Sequence, residues 1–338
     1  MICRQCVLSD SFPGIGFDAS GLCTICQAEP GPVESTRRRA KLRGELERVY
    51  REVRGPRDYD CIVAYSGGKD STYTLMTLQR RFGLRCLAVT IDNGFVSERA
   101  LANCRLVSDS LGIDHLLFRP SFAFMRRMYV DSLEVGVHVS AAAKRASAIC
   151  NSCIGLINNY VLKLALQMEV PIVAGGYLGG QVPKDASLFE YRPAAMRRAR
   201  EASQARYAAR FGAEEAARFF GLGPFEQSEQ TVYITNPMLV LEVSEDAVLA
   251  ALRELGWERP TDTGRHSSNC RLNDLGIHFH LARHGFHPYV AEMAEQVRCG
   301  LMDRSEALER LAHRPAEVDL EPVARQIGLD LSGLKILP

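Results

Sequence analysis

The sequence lacks an excess of charge of either sign. Lys and Arg together number 41 against 40 Asp and Glu, which leaves a net charge of +1. Proteins that act mainly through the phosphate backbone of nucleic acids are usually strongly basic, because each contact neutralises a phosphate. The balanced charge disfavours that class of protein, while a local basic patch would still be enough to hold an RNA.

Long apolar runs are also absent by inspection. The opening Met1-Ile2-Cys3 does not resemble a signal peptide, and no segment approaches the ~20 apolar residues of a membrane-spanning helix. There is no internal repeat and no low-complexity tract. With 338 residues and 46% hydrophobic composition, the chain can bury a core as one large domain or two smaller ones. We therefore predict a globular protein of the cytoplasm that makes no membrane contact.

Cysteine, in contrast, is abundant, since the chain has 11. Six of them form three Cys-x-x-Cys pairs, which are Cys3/Cys6, Cys23/Cys26 and Cys150/Cys153. In a reducing compartment such pairs favour metal or redox chemistry over disulfides. The first two pairs supply four thiolates, a set that suits tetrahedral Zn²⁺. Because a saturated site has no open position, we predict a structural zinc knuckle over residues 1–30, with four unligated cysteines as the alternative.

Beyond the knuckle, short apolar runs alternate with helical segments. Strands are predicted at 59–65, 84–91, 115–118 and 170–174. Helices are predicted at 34–54, 71–82, 96–111, 125–133, 154–167 and 191–220. This alternation indicates βαβ units, so the predicted fold class is α/β with a parallel sheet. The predicted parts are the knuckle, a linking helix at 31–57, an α/β domain at 58–240 and a helical C-terminal region at 241–338.

A glycine-containing loop follows the first predicted strand. Its six residues, the phosphate loop below, are Ser66, Gly67, Gly68, Lys69, Asp70 and Ser71. Glycines let the backbone approach a ligand closely, and amides at a helix N-terminus bind anions. Lys69 adds positive charge and Asp70 is a candidate ligand of Mg²⁺. The spacing is not that of a Walker A loop, and a purely structural turn is the alternative.

Three cysteines outside the knuckle form a second candidate site. Cys150 and Cys153 open a predicted helix, and Cys270 lies far downstream. A close thiolate pair with one distant thiolate can hold three corners of a [4Fe–4S] cluster. The residues alone leave three alternatives open: a redox pair, a second zinc site, or small core residues.

The phosphate loop resembles the PP-loop of the adenine nucleotide α-hydrolase superfamily, whose domain is HUP-like, or Rossmann-like. The resemblance implies that ATP is cleaved between its α and β phosphates and that AMP is transferred to a substrate oxygen. A nitrogen or sulfur nucleophile then displaces the adenylated oxygen. It also implies that backbone of the second strand meets adenine and that a later glycine pair faces the phosphates. These positions are Val89, Thr90, Ile91, Asp92, Gly175 and Gly176.

Two narrower resemblances bear on the nucleophile. The order of a Cys₄ module, a PP-loop, a Cys-x-x-Cys pair and a later cysteine is similar to that of the iron–sulfur-dependent tRNA thiolases of the TtuA/TtcA group. That resemblance implies that Cys150, Cys153 and Cys270 hold the cluster that delivers sulfur. The sequence lacks the second, C-terminal zinc site of some of those enzymes, which disfavours tRNA as the acceptor.

The opening at residues 3–23 and the stretch 300–308 are similar to the N-acetyl sugar amidotransferases of lipopolysaccharide synthesis, the WbpG group. Those enzymes adenylate an oxygen on a nucleotide sugar and accept ammonia from a glutaminase partner. Their pattern has no pair at the position of Cys150 and Cys153, which favours sulfur over ammonia here.

We therefore predict an ATP-dependent sulfurtransferase that uses Mg²⁺, structural Zn²⁺ and a [4Fe–4S] cluster. Its catalytic residues would be Lys69, Asp70, Cys150, Cys153 and Cys270. The acceptor would be a small molecule such as a nucleotide sugar, or tRNA, with a separate sulfur donor. The alternatives are an ammonia-using sugar amidotransferase with a glutaminase partner, and a redox-sensing regulator that binds nucleotide or RNA. The oligomeric state stays open, a homodimer included.

Four histidines near the C-terminus are interpreted as helix-surface or substrate-contact residues rather than as a metal site. They are His278, His280, His284 and His287. His280 and His284 are four residues apart and would share one face of a helix. No carboxylate lies among them, between positions 275 and 291, to complete a ligand set.

Overall fold

A computed structural model describes residues 1–134 and 140–331 of the chain. The strands are β1 (Cys61–Ala64), β2 (Cys86–Ile91), β3 (Asp114–Phe118), β4 (Ile172–Ala174), β5 (Leu188–Tyr191) and β6 (Val232–Thr235). The helices before β4 are α1 (Thr24–Gln27), α2 (Pro32–Glu52), α3 (Lys69–Arg80), α4 (Glu98–Leu111), α5 (Phe122–Glu134), α6 (Ser140–Ala143) and α7 (Ala148–Gln167). The later helices are α8 (Pro193–Phe211), α9 (Ala213–Phe220), α10 (Glu245–Arg253), α11 (Asn273–His284), α12 (Val290–Arg298), α13 (Arg304–Ala312) and α14 (Glu317–Gln326).

The six strands form one sheet in the order β3-β2-β1-β4-β6-β5. All neighbouring strands are parallel except β5, which runs antiparallel to β6. Successive side chains of a strand point to opposite faces, and helices cover both faces of the central strands, so these strands read as continuous apolar runs. The predicted α/β class with a mostly parallel sheet is confirmed.

The segment before β6 shows two features that the sequence did not predict. The predicted helical character of residues 191–220 is confirmed from Pro193 onwards, but it is divided between α8 and α9 at Gly212, whose φ of +89° ends α8. The antiparallel edge strand β5 was not predicted at all. An edge strand is paired on one side only, so β5 does not need the unbroken apolar pattern of the inner strands.

Each face of the sheet has its own core. Ile62, Val89 and Val173 face a cluster built with α5, α7 and α9. Cys61 and Val63 face the cluster on the other side, built with α3, α4 and α10. Parallel strands end at one edge of the sheet, and the turns after β1, β2 and β4 therefore lie together there.

Helix α7 packs against β1 and β4. It is long and apolar enough to cross a membrane by length and composition, with a mean hydropathy of 1.3 over a window of which 44% is buried. The prediction that no segment reaches that length was wrong. A core helix passes the same test, so this single helix is weak evidence for a membrane span.

The N-terminal cysteine module, residues 1–30, packs against the C-terminal helices. Its apolar residues share a cluster with Phe286, Val290 and Ala307. Arg304 donates hydrogen bonds to the carbonyl oxygens of Cys3 and Cys6, at 2.8 Å each. The region after residue 241 is mainly helical as predicted up to α14, and positions 332–338 of that region lie outside the described residues.

Candidate active site

The phosphate loop connects the end of β1 to the start of α3. Gly67 has a φ of +72°, and a Cβ at this position would lie 2.2 Å from the carbonyl oxygen of Ala100. Gly176, in the turn after β4, is packed so that a Cβ would lie 2.8 Å from the backbone nitrogen of Ser71. Both positions therefore exclude any side chain, which lets three backbone segments meet around the start of α3.

Two residues from the C-terminal region hold this loop. Trp257 donates from Nε1 to the carbonyl oxygen of Gly67 at 2.8 Å. The hydroxyl of Ser268 accepts a hydrogen bond from the backbone nitrogen of Lys69 at 3.0 Å. Within the loop, Ser71 Oγ donates to the carbonyl oxygen of Gly68 at 3.1 Å. Trp257 and Ser268 were not predicted from the sequence, because their contacts arise only through the tertiary fold.

A half-buried group of charges surrounds the loop lysine. Lys69 Nζ lies 2.8 Å from an oxygen of Asp70 and 3.7 Å from an oxygen of Glu245. Burial acts to lower the pKa of Lys69, but the two carboxylates outweigh it and raise the pKa above its usual value. Lys69 is therefore an ammonium ion, the form that can neutralise phosphate charge.

A cavity of about 750 Å³ opens above the loop at the carboxyl edge of the sheet. The predicted site residues that line it are Ser66, Gly68, Lys69, Asp70, Ser71, Val89, Ile91, Gly175, Gly176, Cys150, Cys153 and Cys270. Thr90 and Asp92 have other contacts: Thr90 donates to the carbonyl oxygen of Tyr65 at 2.7 Å, and Asp92 accepts from the backbone nitrogen of Gly94 at 2.9 Å. Backbone contact of residues 89–92 with adenine stays a prediction.

The cysteine triad, Cys150, Cys153 and Cys270, faces this cavity from two distant parts of the chain. Burial raises the pKa of Cys150 to about 11 and that of Cys153 to about 12, and it also raises the pKa of Cys270. Without a cation the three groups are thus neutral thiols at pH 7. Ser147 caps α7 by accepting from the backbone nitrogen of Cys150 at 3.3 Å, which fixes the start of this helix at the cavity wall.

The two cysteine groups differ in spacing. Among residues 1–134 and 140–331, the group of potential ligands whose atoms all lie within 4.8 Å of one another is Cys3, Cys6, Cys23 and Cys26. The triad does not meet that limit, so at least one of its sulfur–sulfur distances is longer than 4.8 Å. Three soft sulfurs spread more widely around a cavity suit a larger group such as an iron–sulfur cube.

The helix-surface alternative is wrong for two of the four histidines, while their contact with a substrate stays a prediction. His280 is 3% exposed and His287 is 5% exposed. His280 packs edge-on against Phe286 with ring centroids 4.9 Å apart. Burial, together with neighbouring cations and histidines, lowers the pKa of His280 to about 3 and that of His287 to about 2. Both rings are therefore neutral in the folded protein.

This burial predicts a pH dependence of stability. Below pH ~6.5 the unfolded chain binds protons on these histidines while the folded protein does not, so the free energy of unfolding falls as pH falls. Each histidine contributes up to about 1.4 kcal/mol per pH unit between pH ~6.5 and its folded pKa. We expect His280→Gln to flatten the slope of stability between pH 6 and 4, measured by urea unfolding. An unchanged slope would contradict the neutral buried ring; between pH 7 and 8 the two proteins should have the same slope.

Comparison with known proteins places the chain as follows. No known family profile matches it. It is 22% identical over 336 residues to an uncharacterised protein of Methanocaldococcus jannaschii, covering 98% of this chain and 100% of the relative. It is 33% identical over 85 residues to the glutamine-hydrolysing GMP synthase of Pyrobaculum aerophilum, which is 25% of this chain and 17% of that protein.

Among solved structures, the U34-tRNA thiolase NcsA from Methanococcus maripaludis, determined with its [4Fe–4S] cluster, aligns over 99% of this chain and 94% of its own. The identity is 15% and the TM-score 0.35. Similarity at this level is too low to transfer a fold or a function. The site must therefore be interpreted from its own geometry.

Proposed function

We propose that the protein is an ATP-dependent sulfurtransferase. The observation that carries the proposal is that the phosphate loop and the cysteine triad line one cavity, although they come from three separate segments of the chain. A loop of this kind alone would support nucleotide binding only. Three soft sulfur ligands beside it supply a second reactive group within reach of the same bound substrate.

The first step would be adenylation of the acceptor. An oxygen of the acceptor attacks the α-phosphorus of ATP; the new P–O bond forms as the bond to the β-phosphate breaks, and pyrophosphate leaves. The amides at the start of α3 and the ammonium of Lys69 would stabilise the phosphate charge. Asp70 would hold Mg²⁺ on the phosphates.

The second step would replace the adenylated oxygen with sulfur. Sulfide attacks the activated carbon, the C–O bond breaks, and AMP leaves with the oxygen. The residues of the triad fit a [4Fe–4S] cluster, because they are soft donors, they are half-buried in the cavity wall, and not all of their sulfurs lie within 4.8 Å of one another. Such a cluster, when bound, supplies an iron with no protein ligand at which sulfide is held. The acceptor would be a nucleotide sugar or another small molecule, or a tRNA base.

The N-terminal cysteine module would hold a structural Zn²⁺. Cys3 and Cys6 each lie 3.8 Å, sulfur to sulfur, from one cysteine of the second pair. All four are buried, so no open position is left for a substrate. The ion would fix the module against α12, whose Glu292 lines the active-site cavity.

A second candidate function is an ATP-dependent amidotransferase that uses ammonia from a glutaminase partner. The 85-residue similarity to a glutamine-hydrolysing GMP synthase favours it, as does the resemblance to the sugar amidotransferases. It would use the same phosphate loop and the same adenylation, but it has no use for the cysteine triad. The two functions therefore differ in their need for iron.

Cys270→Ser tests the proposal. After anaerobic purification and reconstitution, we expect about four irons per chain in the wild-type protein and loss of most of that iron in the variant. Both should keep zinc. Exchange of labelled pyrophosphate into ATP would continue in the variant once an acceptor is supplied, because adenylation does not use the triad. Cys299→Ser is the matched control, since Cys299 is also half-buried but lies outside the active-site cavity.

Two results would contradict the sulfurtransferase. One is a wild-type protein that takes up zinc but no iron, even after reconstitution. The other is iron that stays bound in Cys270→Ser at the wild-type level. Either result, combined with ATP cleavage that depends on added ammonia, would favour the amidotransferase.

A further inference from the structure

Asn93 lies in the turn after β2 and was not predicted as a site residue. It is 8% exposed and lines the active-site cavity. The chain after this turn pairs with the segment that carries Cys270: Val96 forms a bridge with Cys270, and the backbone nitrogen of Arg271 donates to the carbonyl oxygen of Phe95 at 2.9 Å. The turn thus joins the sheet to the third cysteine of the triad.

The orientation of the Asn93 amide is fixed by its own turn. Its Oδ1 accepts a hydrogen bond from the backbone nitrogen of Phe95 at 2.8 Å. The NH₂ group must therefore point the other way, into the cavity. There, Nδ2 lies 3.6 Å from the sulfur of Cys153 and 3.6 Å from the sulfur of Cys270. Two donor hydrogens thus face two sulfurs of the triad.

A tyrosine supports the same corner of the site. The hydroxyl of Tyr129 lies 3.3 Å from the sulfur of Cys153 and 3.1 Å from the carbonyl oxygen of Asn93. Its ring packs edge-on against Phe95 with centroids 5.8 Å apart. The side of the cavity around Cys153 is therefore rich in hydrogen-bond donors and closed by aromatic rings.

We propose that Asn93 is a positioning residue of the sulfur site, which holds Cys153 and Cys270 in register and raises the reduction potential of the cluster they bind. The inference rests on the proposed function, because it needs an iron–sulfur cluster on the triad. Hydrogen bonds donated to thiolate ligands withdraw negative charge from the cluster, and this favours the reduced state. The amide of Asn93 faces two of the three cysteine ligands, so it would withdraw charge from both.

Asn93→Asp separates this role from a structural one. Aspartate has the same size and keeps the oxygen that accepts from Phe95, so the turn is preserved. It loses both N–H donors and brings a negative charge towards two thiolates. Because the added charge alone would lower the reduction potential, the part due to the lost hydrogen bonds is judged from a variant without that charge. Asn93→Ala is the second variant, because it removes the donors without adding charge.

The experiment is a redox titration of the reconstituted, anaerobic protein, followed by electron paramagnetic resonance. We expect the equilibrium constant for one-electron reduction to fall about tenfold in Asn93→Asp, which is a midpoint about 59 mV more negative. Asn93→Ala should shift in the same direction by a smaller amount. We also expect Asn93→Asp to lose iron faster than wild type on exposure to a chelator.

Asn158→Asp is the matched control for added charge. Asn158 lines the same cavity, and its Oδ1 accepts from the hydroxyl of Tyr177 at 3.3 Å. The inference is supported if Asn158→Asp has the same midpoint potential as the wild-type protein while both Asn93 variants have shifted midpoint potentials. Wild-type midpoints in both Asn93 variants, with the cluster bound, would overturn the inference alone. A wild-type protein that binds no iron would overturn it together with the proposed sulfurtransferase.

Discussion

Gly67→Ala is expected to abolish nucleotide binding and to destabilise the fold by about 3 kcal/mol or more. The new Cβ would lie 2.2 Å from the carbonyl oxygen of Ala100 and 2.8 Å from the sulfur of Cys104. It would also sit on a backbone with a φ of +72°, which residues with side chains rarely adopt. The loop can relieve the clash only by moving away from α4, and that movement displaces the amides at the start of α3.

The measurement is a thermal unfolding curve with and without Mg-ATP. The wild-type protein should melt at a higher temperature with the ligand, because binding stabilises the folded state. Gly67→Ala should melt lower and show no rise. Gly112→Ala is the control: Gly112 also has a positive φ, of +62°, but no atom lies within 4 Å of its Cβ position. That variant should keep the ATP-dependent increase in melting temperature. An increase in Gly67→Ala as large as in the wild-type protein would refute the steric argument.

Cys6→Ser is expected to have the second large effect, through loss of the proposed zinc. Zinc binding contributes about 10–16 kcal/mol to the folding of zinc-finger peptides, and the N-terminal cysteine module has only a small core of its own. Its apolar residues pack against Phe286 and Val290, next to the start of α12. Loss of the ion should therefore loosen both the module and the helices that it covers. Limited proteolysis should cut residues 1–30 far faster than in the wild-type protein.

Cys86→Ser provides the comparison for Cys6→Ser. Cys86 is equally buried, but it belongs to β2 and faces the sheet core. Its replacement should lower stability by the ordinary cost of a buried hydroxyl, about 1–3 kcal/mol, and leave one zinc per chain. If Cys6→Ser kept its zinc and its resistance to protease, the module would have to be stabilised without an ion.

Local patterns in the sequence were enough to predict the parallel sheet and the phosphate loop. The loop is a run of six residues whose chemistry is evident from their types. The central strands β1, β2 and β4 are buried on both faces and therefore read as apolar runs. The break at Gly212 could have been predicted, because a glycine inside a helical pattern can mark the end of a helix. The pattern continues on both sides of this glycine, which obscured the break. The edge strand β5 had little signal, because Glu190 interrupts its apolar residues.

The contacts that complete the site could not be predicted in this way. Asn93 follows a strand and precedes a glycine, which indicates a turn, but its two sulfur neighbours are 60 and 177 residues away. The burial of His280 was missed for the opposite reason. A polar residue is expected on the surface unless it has partners, and nothing in the sequence shows that Phe286 folds back over this ring.

The hydrogen bond from Trp257 to Gly67 has a consequence for the synthesis of the chain. The two residues are 190 positions apart, and Ser268 and Lys69 are 199 apart. The ribosome therefore makes the phosphate loop long before it makes the residues that hold the loop in shape. A nascent chain that ends before Trp257 contains all six strands but neither of the residues that anchor the loop. We therefore expect the proposed ATP site to form only after residue 268 has been made, and a fragment that stops at residue 240 would not serve as a portable nucleotide-binding module.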